Sequence, residues 1–258
     1  MSQKGNKRID MLMVERGMCE SRTRAQALIM AGKVVVGDHR VDKPGTKVSP
    51  DAAVRIKQPD HPYVSRGGVK LAGALDEFGL YVEGLTVLDV GASTGGFTDC
   101  LLRRGVLRVY ALDVGRGQLH DRLVKDERVV SLEGVNARHL EPGALPEAVD
   151  LATFDLSFIS LRLVLGPVMA HVKAQGRLLA MVKPQFEVGR EKVGKGGIVR
   201  DEELRLEAVD GIERFAHELG LYTAGRADSR LPGADGNRET FLLLSRIRPP
   251  GRPSPDRA

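Results

Sequence analysis

Residues 86–113, TVLDVGASTGGFTDCLLRRGVLRVYALD, constrain the fold more than any other part of the chain. An apolar run ends in Asp89-Val90, a glycine-rich turn follows, and a helix-forming stretch leads to a second apolar run that ends in Asp113. A buried strand, a tight turn, a helix and another buried strand make a βαβ unit, the building block of a parallel sheet covered on both faces. The alternation continues down the chain. Strands are predicted at 86–90, 109–112, 151–154, 178–182, 222–227 and 241–244, with helices over about 69–78, after the glycine turn, and over about 160–171 and 201–219. The fold class is therefore α/β.

The first sixty residues read differently. Ile9, Leu12 and Met13 fall at helical spacing, as do Ala25, Leu28 and Ile29, and Ser21 is placed to cap the second helix. Short strands at 34–36 and 53–56 and turns at 37–38 and 43–45 complete a small α+β unit. Its charge is distinctive. Residues 1–60 hold 12 of the 39 basic and 7 of the 34 acidic side chains, so the whole excess of +5 lies there. A basic module attached to a neutral one suits an anionic partner. The organisation predicted is a small domain over 1–58, a polar linker over 59–64, a large domain over 65–247 and a Pro-rich, disordered tail over 248–258.

Composition excludes several classes. There is no Trp and only 4% aromatic residues, which argues against a recognition surface built on stacking rings. Two cysteines, Cys19 and Cys100, stand far apart with no Cys/His spacing, so no metal site is expected and the chain reads as cytoplasmic. No apolar leader and no membrane-spanning run is seen, so no membrane partner is expected.

Three readings compete for the loop VLDVGASTGGFT. It lacks the Lys of a phosphate-gripping loop, and its glycines fall as GxxxGG rather than GxGxxG. The third reading is S-adenosylmethionine, which has no phosphate and needs only a loop that lets backbone approach its amino-acid part. Asp89 would face its cationic end and Asp113 its ribose hydroxyls. The segment 189–196, GREKVGKG, almost spells a phosphate loop but ends in Gly where a hydroxyl is required.

Charged residues close other apolar runs. Asp155 follows 151–154, Lys183 follows 178–182, Glu239 precedes 241–244, and Lys70 opens the first helix of the large domain. In a parallel sheet Asp89, Asp113, Asp155 and Lys183 fall along the edge where such sheets bind ligands. A lysine held there loses solvation, which favours the neutral amine that can act as a base.

The segments RIDMLMVERGMCESRTRAQALIMAGKVVVG, VSRGGVKL, VLDVGASTGGFTDCLL, FDLSFISL, KPQFEVGREKVGKGGIVRD and GNRETFLL together resemble the TlyA family, an S4 RNA-binding domain joined to an FtsJ/RrmJ-like methyltransferase. The resemblance implies a Rossmann-like sheet and methylation of cytidine 2′-hydroxyls in ribosomal RNA of the small subunit, the large subunit or both. It implies a catalytic set Lys70, Asp155, Lys183 and Glu239, in which Lys183 deprotonates or orients the hydroxyl and Asp155 holds Lys183. Gly91, Ser93, Thr94, Gly95 and Phe97, with Asp89, Asp113 and Phe158, would bind S-adenosylmethionine. Arg8, Arg22, Arg24, Lys33 and Arg40 would contact RNA phosphates on ribosomal RNA or ribosomal subunits. Two other readings remain beside it: a non-catalytic RNA-binding protein on a degenerate methyltransferase fold, and a membrane-active haemolysin, a name some relatives carry.

Overall fold

The computed structural model describes residues 5–56, 61–233 and 235–248, and the chain divides into two units, Met1–Pro62 and Tyr63–Ala258. Residues 57–60, the end of the expected small domain and the start of the expected linker, and 249–258, nearly all of the expected tail, lie outside the described residues. Tyr63 and Val64, which composition assigns to the linker, instead pack against the core of the larger unit, and the Val64 N–H donates to Asp99 Oδ2.

The small unit runs β1 (Lys7–Arg8), α1 (Ile9–Glu15), α2 (Arg22–Met30), β2 (Val34–Val36), β3 (His39–Val41), β4 (Lys47–Val48) and β5 (Val54–Ile56). β2 lies between β3 and β5 in an antiparallel sheet, and β1 pairs with β4. Ser21 Oγ accepts from the Arg24 N–H and so caps α2. The core is formed by Ile9, Leu12 and Met13 of α1, Ala25 and Ile29 of α2, and Val34, Val41 and Val48. The sequence pattern does not predict β1, β3 and β4, because two or three residues are too few to show alternation.

The larger unit runs α3 (Gly67–Glu77), β6 (Thr86–Val90), α4 (Gly96–Arg103), β7 (Arg108–Asp113), α5 (Asp121–Val124), β8 (Val129–Glu133), β9 (Val149–Phe154), α6 (Leu165–Met169), β10 (Val172–Val182), α7 (Pro184–Glu187), α8 (Glu202–Glu218), β11 (Tyr222–Asp228) and β12 (Thr240–Ser245). Seven strands form one sheet in the order β11-β12-β10-β9-β6-β7-β8. Neighbours from β10 to β8 are parallel, and β12 runs antiparallel to both β10 and β11. Successive side chains of a strand face opposite ways. Leu88 and Val90 thus meet α6 and α8 on one face, while Val87 meets α3, α4 and α5 on the other. Both faces are covered, which is why each central strand reads as a continuous apolar run.

Two expectations need correction. The helix expected over 160–171 is a 3₁₀ turn, Leu161–Leu163, and the five-residue α6. Gly166 weakens a helix and Pro167 supplies no donor for one. β8 is absent from the sequence expectation because it is an edge strand, only half-buried along its length.

The small unit turns on one buried carboxylate. Asp10 accepts from Arg8 Nε and Nη2, both at 3.0 Å, and from Arg22 Nε and Gln26 Nε2, both at 2.9 Å. The Arg8 hydrogen bonds, more than any other interaction, hold its carboxyl well below the usual carboxylate range. A depressed pKa contributes stability above the unfolded value near ~4 and loses it as pH falls below that. Asp10→Ala is expected to cost the small unit about 2 kcal/mol at neutral pH, and the deficit should shrink below pH ~4. Denaturant midpoints measured across pH check both; an equal deficit at all pH values would contradict the linkage.

Candidate active site

β7 and β8 extend the sheet to one side of β6, and β9 and β10 to the other, so the strand order reverses between β6 and β9. In open α/β sheets ligands bind in the crevice at the carboxyl ends beside such a reversal. Here the two strand ends converge closely. Gly91, just past β6, has φ +86°, and a Cβ on it would stand 2.6 Å from the carbonyl oxygen of Asp155, just past β9. Only glycine permits that approach. Two adjoining cavities of about 500 Å³ and about 450 Å³ open at this edge, and both are bordered by Gly91, Ser93, Asp155, Ser157 and Phe158.

Of the six charged residues that border the larger cavity, four come from separate elements and meet in pairs. Lys70 comes from α3, Asp155 follows β9, Lys183 follows β10 and Glu239 precedes β12. They form two ion pairs. Lys183 Nζ lies 2.6 Å from Asp155 Oδ1 and also donates to Ser157 Oγ at 3.2 Å. Lys70 Nζ lies 2.5 Å from Glu239 Oε2, and both residues are buried, at 8% and 2% exposure. Glu239 reaches this edge because β12 runs opposite to its neighbours, so its start lies beside their ends.

The smaller cavity is bordered by Gly91, Ser93, Asp113 and Phe158. Asp113 is fixed by backbone: its Oδ2 accepts from the Ser93 N–H at 2.8 Å and its Oδ1 from the Gly115 N–H at 2.7 Å. Each oxygen keeps further acceptor capacity. Ser93 and Phe158, at φ +48° and +64°, are the only non-glycine residues at positive φ among the described residues. Strain of this kind gathers at functional sites. Phe158 is 92% exposed, with its ring 5.3 Å from that of Phe186. Thr94 and Phe97 border the larger cavity, and the Phe97 ring stacks on Phe241. Gly95 borders neither. Its φ of +91° and its missing side chain make room for Leu119 and Leu123.

Asp89 is placed otherwise than its sequence position suggests. It borders neither cavity and is fully buried. The pleat turns it to the Val87 side, toward α4, where it accepts from Thr98 Oγ1 at 2.7 Å and Thr153 Oγ1 at 3.1 Å. Burial pushes this carboxyl up to about 7. In the small unit Arg24, Lys33 and Arg40 are exposed, while Arg8 and Arg22 are held by Asp10. The segment 189–196 is not a phosphate loop: a 3₁₀ turn leads to a bridge between Gly194 and Ile198, and the next helix begins only at Glu202. Its Val193, with Ser157, Gln185 and Phe186, borders the larger cavity. These residues escape a sequence reading because none carries a charge at a strand end.

A doubly wound sheet whose carboxyl-edge crevice carries a backbone-fixed carboxylate beside two lysine–carboxylate pairs has the Rossmann-like arrangement. The FtsJ-like methyltransferase family matches residues 63–246 and the S4 domain family residues 7–54. The chain is 47% identical over 238 residues to the 16S/23S rRNA (cytidine-2'-O)-methyltransferase TlyA of Mycobacterium tuberculosis, covering 92% of this chain and 89% of that protein. It is 39% identical over 233 residues to Hemolysin A of Brachyspira hyodysenteriae, covering 90% and 97%. A solved Streptococcus thermophilus protein, provisionally named a hemolysin, is 40% identical with a TM-score of 0.72, covering 93% and 88%. The chain belongs to the TlyA family, in which an S4 domain precedes an FtsJ-like methyltransferase domain.

Asp89 generates a pH test. A carboxyl with a raised folded pKa favours stability below its unfolded value near ~4 and detracts from it as pH rises toward its folded value. Wild type is therefore expected to lose stability relative to Asp89→Asn as pH rises from ~4 to about 7. Denaturation midpoints of the two proteins across that range measure it, and a constant difference would refute the assignment.

Proposed function

We propose that the protein transfers the methyl group of S-adenosylmethionine to the 2′-hydroxyl of a cytidine in ribosomal RNA. The observation that carries this reading is the meeting of the Lys183–Asp155 and Lys70–Glu239 pairs in one cavity beside the strand reversal. The name of the 47% identical relative, an rRNA (cytidine-2'-O)-methyltransferase, supports the substrate.

The smaller cavity fits the cofactor. Gly91 keeps the loop free of side chain where the strand ends converge, and Asp113 offers carboxylate oxygens at the end of β7 to the ribose hydroxyls. Ser93 and Phe158 border the space that remains, and Thr94 stands at the adjoining larger cavity. When bound, S-adenosylmethionine supplies a methyl group on a sulfonium, which needs little activation.

The protein's task is then alignment and removal of one proton. Lys183, an ammonium paired with Asp155, first yields a proton to solvent; its neutral amine then receives the proton of the 2′-hydroxyl, and Asp155 braces the ammonium that results. Lys70 and Glu239, locked to one another, fix the wall against which the ribose rests. Asp89 acts beneath the loop, tying α4 and β9 to β6. The exposed Arg24, Lys33 and Arg40 bind phosphates and supply affinity without reading sequence. Arg8 and Arg22 join them on the side not taken by Asp10. No helix among the described residues is long and apolar enough to cross a membrane.

Radiolabelled methyl transfer to separated ribosomal subunits lacking the modification tests the reading. Label is expected on ribosomal RNA, and Lys183→Ala should lower the rate by at least about 100-fold while cofactor binding persists. Undiminished turnover in that variant would remove Lys183 from the mechanism, and no label on RNA from either subunit would overturn the reading. A second expectation concerns Arg24, Lys33 and Arg40. Replacing all three by Gln should flatten the plot of log affinity against log salt by about 0.7–0.9 for each phosphate no longer neutralised; an unchanged slope would clear them of phosphate binding.

A further inference from the structure

Gln185 stands two residues after Lys183, in α7, and borders the cavity that holds the two ion pairs. It does not border the smaller cavity. Its backbone is well held, since Pro184 opens the turn and the Phe186 N–H donates to the Lys183 carbonyl. Lys70, Asp155, Lys183 and Glu239 are engaged in their two pairs, and Ser157 accepts from Lys183. The Gln185 carboxamide differs: its Oε1 is buried and no described residue donates to it. Leaving a buried acceptor without a donor is unfavourable, and such an orphan in a native cleft points to a donor that arrives with the ligand.

We infer that Gln185 reads the base of the nucleotide that is methylated, its Oε1 accepting from the exocyclic amine of cytosine. The inference rests on the proposed function and adds the determinant of base choice. The chemistry follows from the two pyrimidines. Cytosine carries an amine donor at position 4 and an acceptor at N3, and a carboxamide presents an acceptor and a donor side by side, which match them. Uracil reverses both groups, so with the carboxamide in the orientation seen here the carbonyl at its position 4 meets Oε1 with no proton between them. A site built to bond a polar group rejects the analogue that lacks it, because its own buried group is then left unpaired. Single-stranded RNA bases are commonly read on this edge. Gln185 is thus a specificity-determining residue, distinct from the charged groups that handle the hydroxyl.

The test uses full-length protein and subunits reconstituted from transcripts that carry C or U at the position wild type modifies. The readout is the ratio of kcat/KM for C over U. Wild type is expected to favour C by at least about tenfold. Gln185→Met, similar in length but without polar atoms, should bring the ratio to within about threefold of one, through KM more than kcat. Its thermal unfolding and its binding of S-adenosylmethionine should match wild type. A Gln185→Met protein that keeps the wild-type ratio would overturn the inference, as would a wild type that does not distinguish C from U. A wild type that methylates no RNA at all would overturn the proposed function, and the base-reading role with it.

Discussion

The buried pair of Lys70 and Glu239 joins residues 169 positions apart. It ties the first helix of the larger unit to the start of its last strand. Each charge is nearly out of reach of water, so each depends on the other. Removing one partner leaves an uncompensated charge, at a cost of about 3–5 kcal/mol. The geometry behind the pair is equally demanding. Glu239 stands opposite Lys70 only when β12 has paired with both β10 and β11, so the wall of the cleft and the closing of the sheet are one event.

The sheet supplies the second constraint. Side chains alternate between two helical layers, and both layers are apolar. A polar group inside a central strand must find its partners there. Asp89 does so through two threonines, one on α4 and one on β9. The glycine loop above it is therefore anchored from below as well as shaped by Gly91 and Gly95. The converging ends of β6 and β9 then set the spacing between the two cavities, so the same backbone approach separates and joins their occupants.

Much of this is legible in the residues. Strands with two buried faces announce themselves as unbroken apolar runs, and β6 falls where the pattern over 86–90 puts it. Asp113, Asp155 and Lys183 stand out because a charge closes such a run. The misreadings share a physical origin. Asp89 lies one residue inside the strand end, and the pleat, not proximity to the loop, decides where it points. The segment 160–171 has helical spacing, but Gly166 and Pro167 cannot sustain a long helix. Gln185 bears no charge, and only burial of its oxygen distinguishes it from any surface amide. Arg8 and Arg22 read as free cations in the sequence because only the fold brings Asp10 between them.

The reversal of β12 has one more consequence. The walls carrying Asp155 and Lys183 are connections leading from a strand into a helix, whose length is tied to how that helix packs. The wall carrying Glu239 is instead the connection from β11 to β12, two neighbouring antiparallel strands. Both of its ends are fixed by the same ladder of hydrogen bonds, and its described residues reach the helices beside it: Arg230 pairs with Asp76 of α3, Arg238 with Glu202 of α8, and the buried Asn237 accepts from the Val199 N–H and donates to the Gly197 carbonyl. Closure entropy alone would tolerate a longer connection, since each doubling of a loop adds only about 0.6 kcal/mol; these contacts are what fix its course. Arg230 and Arg238 thus fasten the wall that carries Glu239 to one helix on each face of the sheet, so packing sets that side of the mouth as firmly as it sets the strand-to-helix loops opposite.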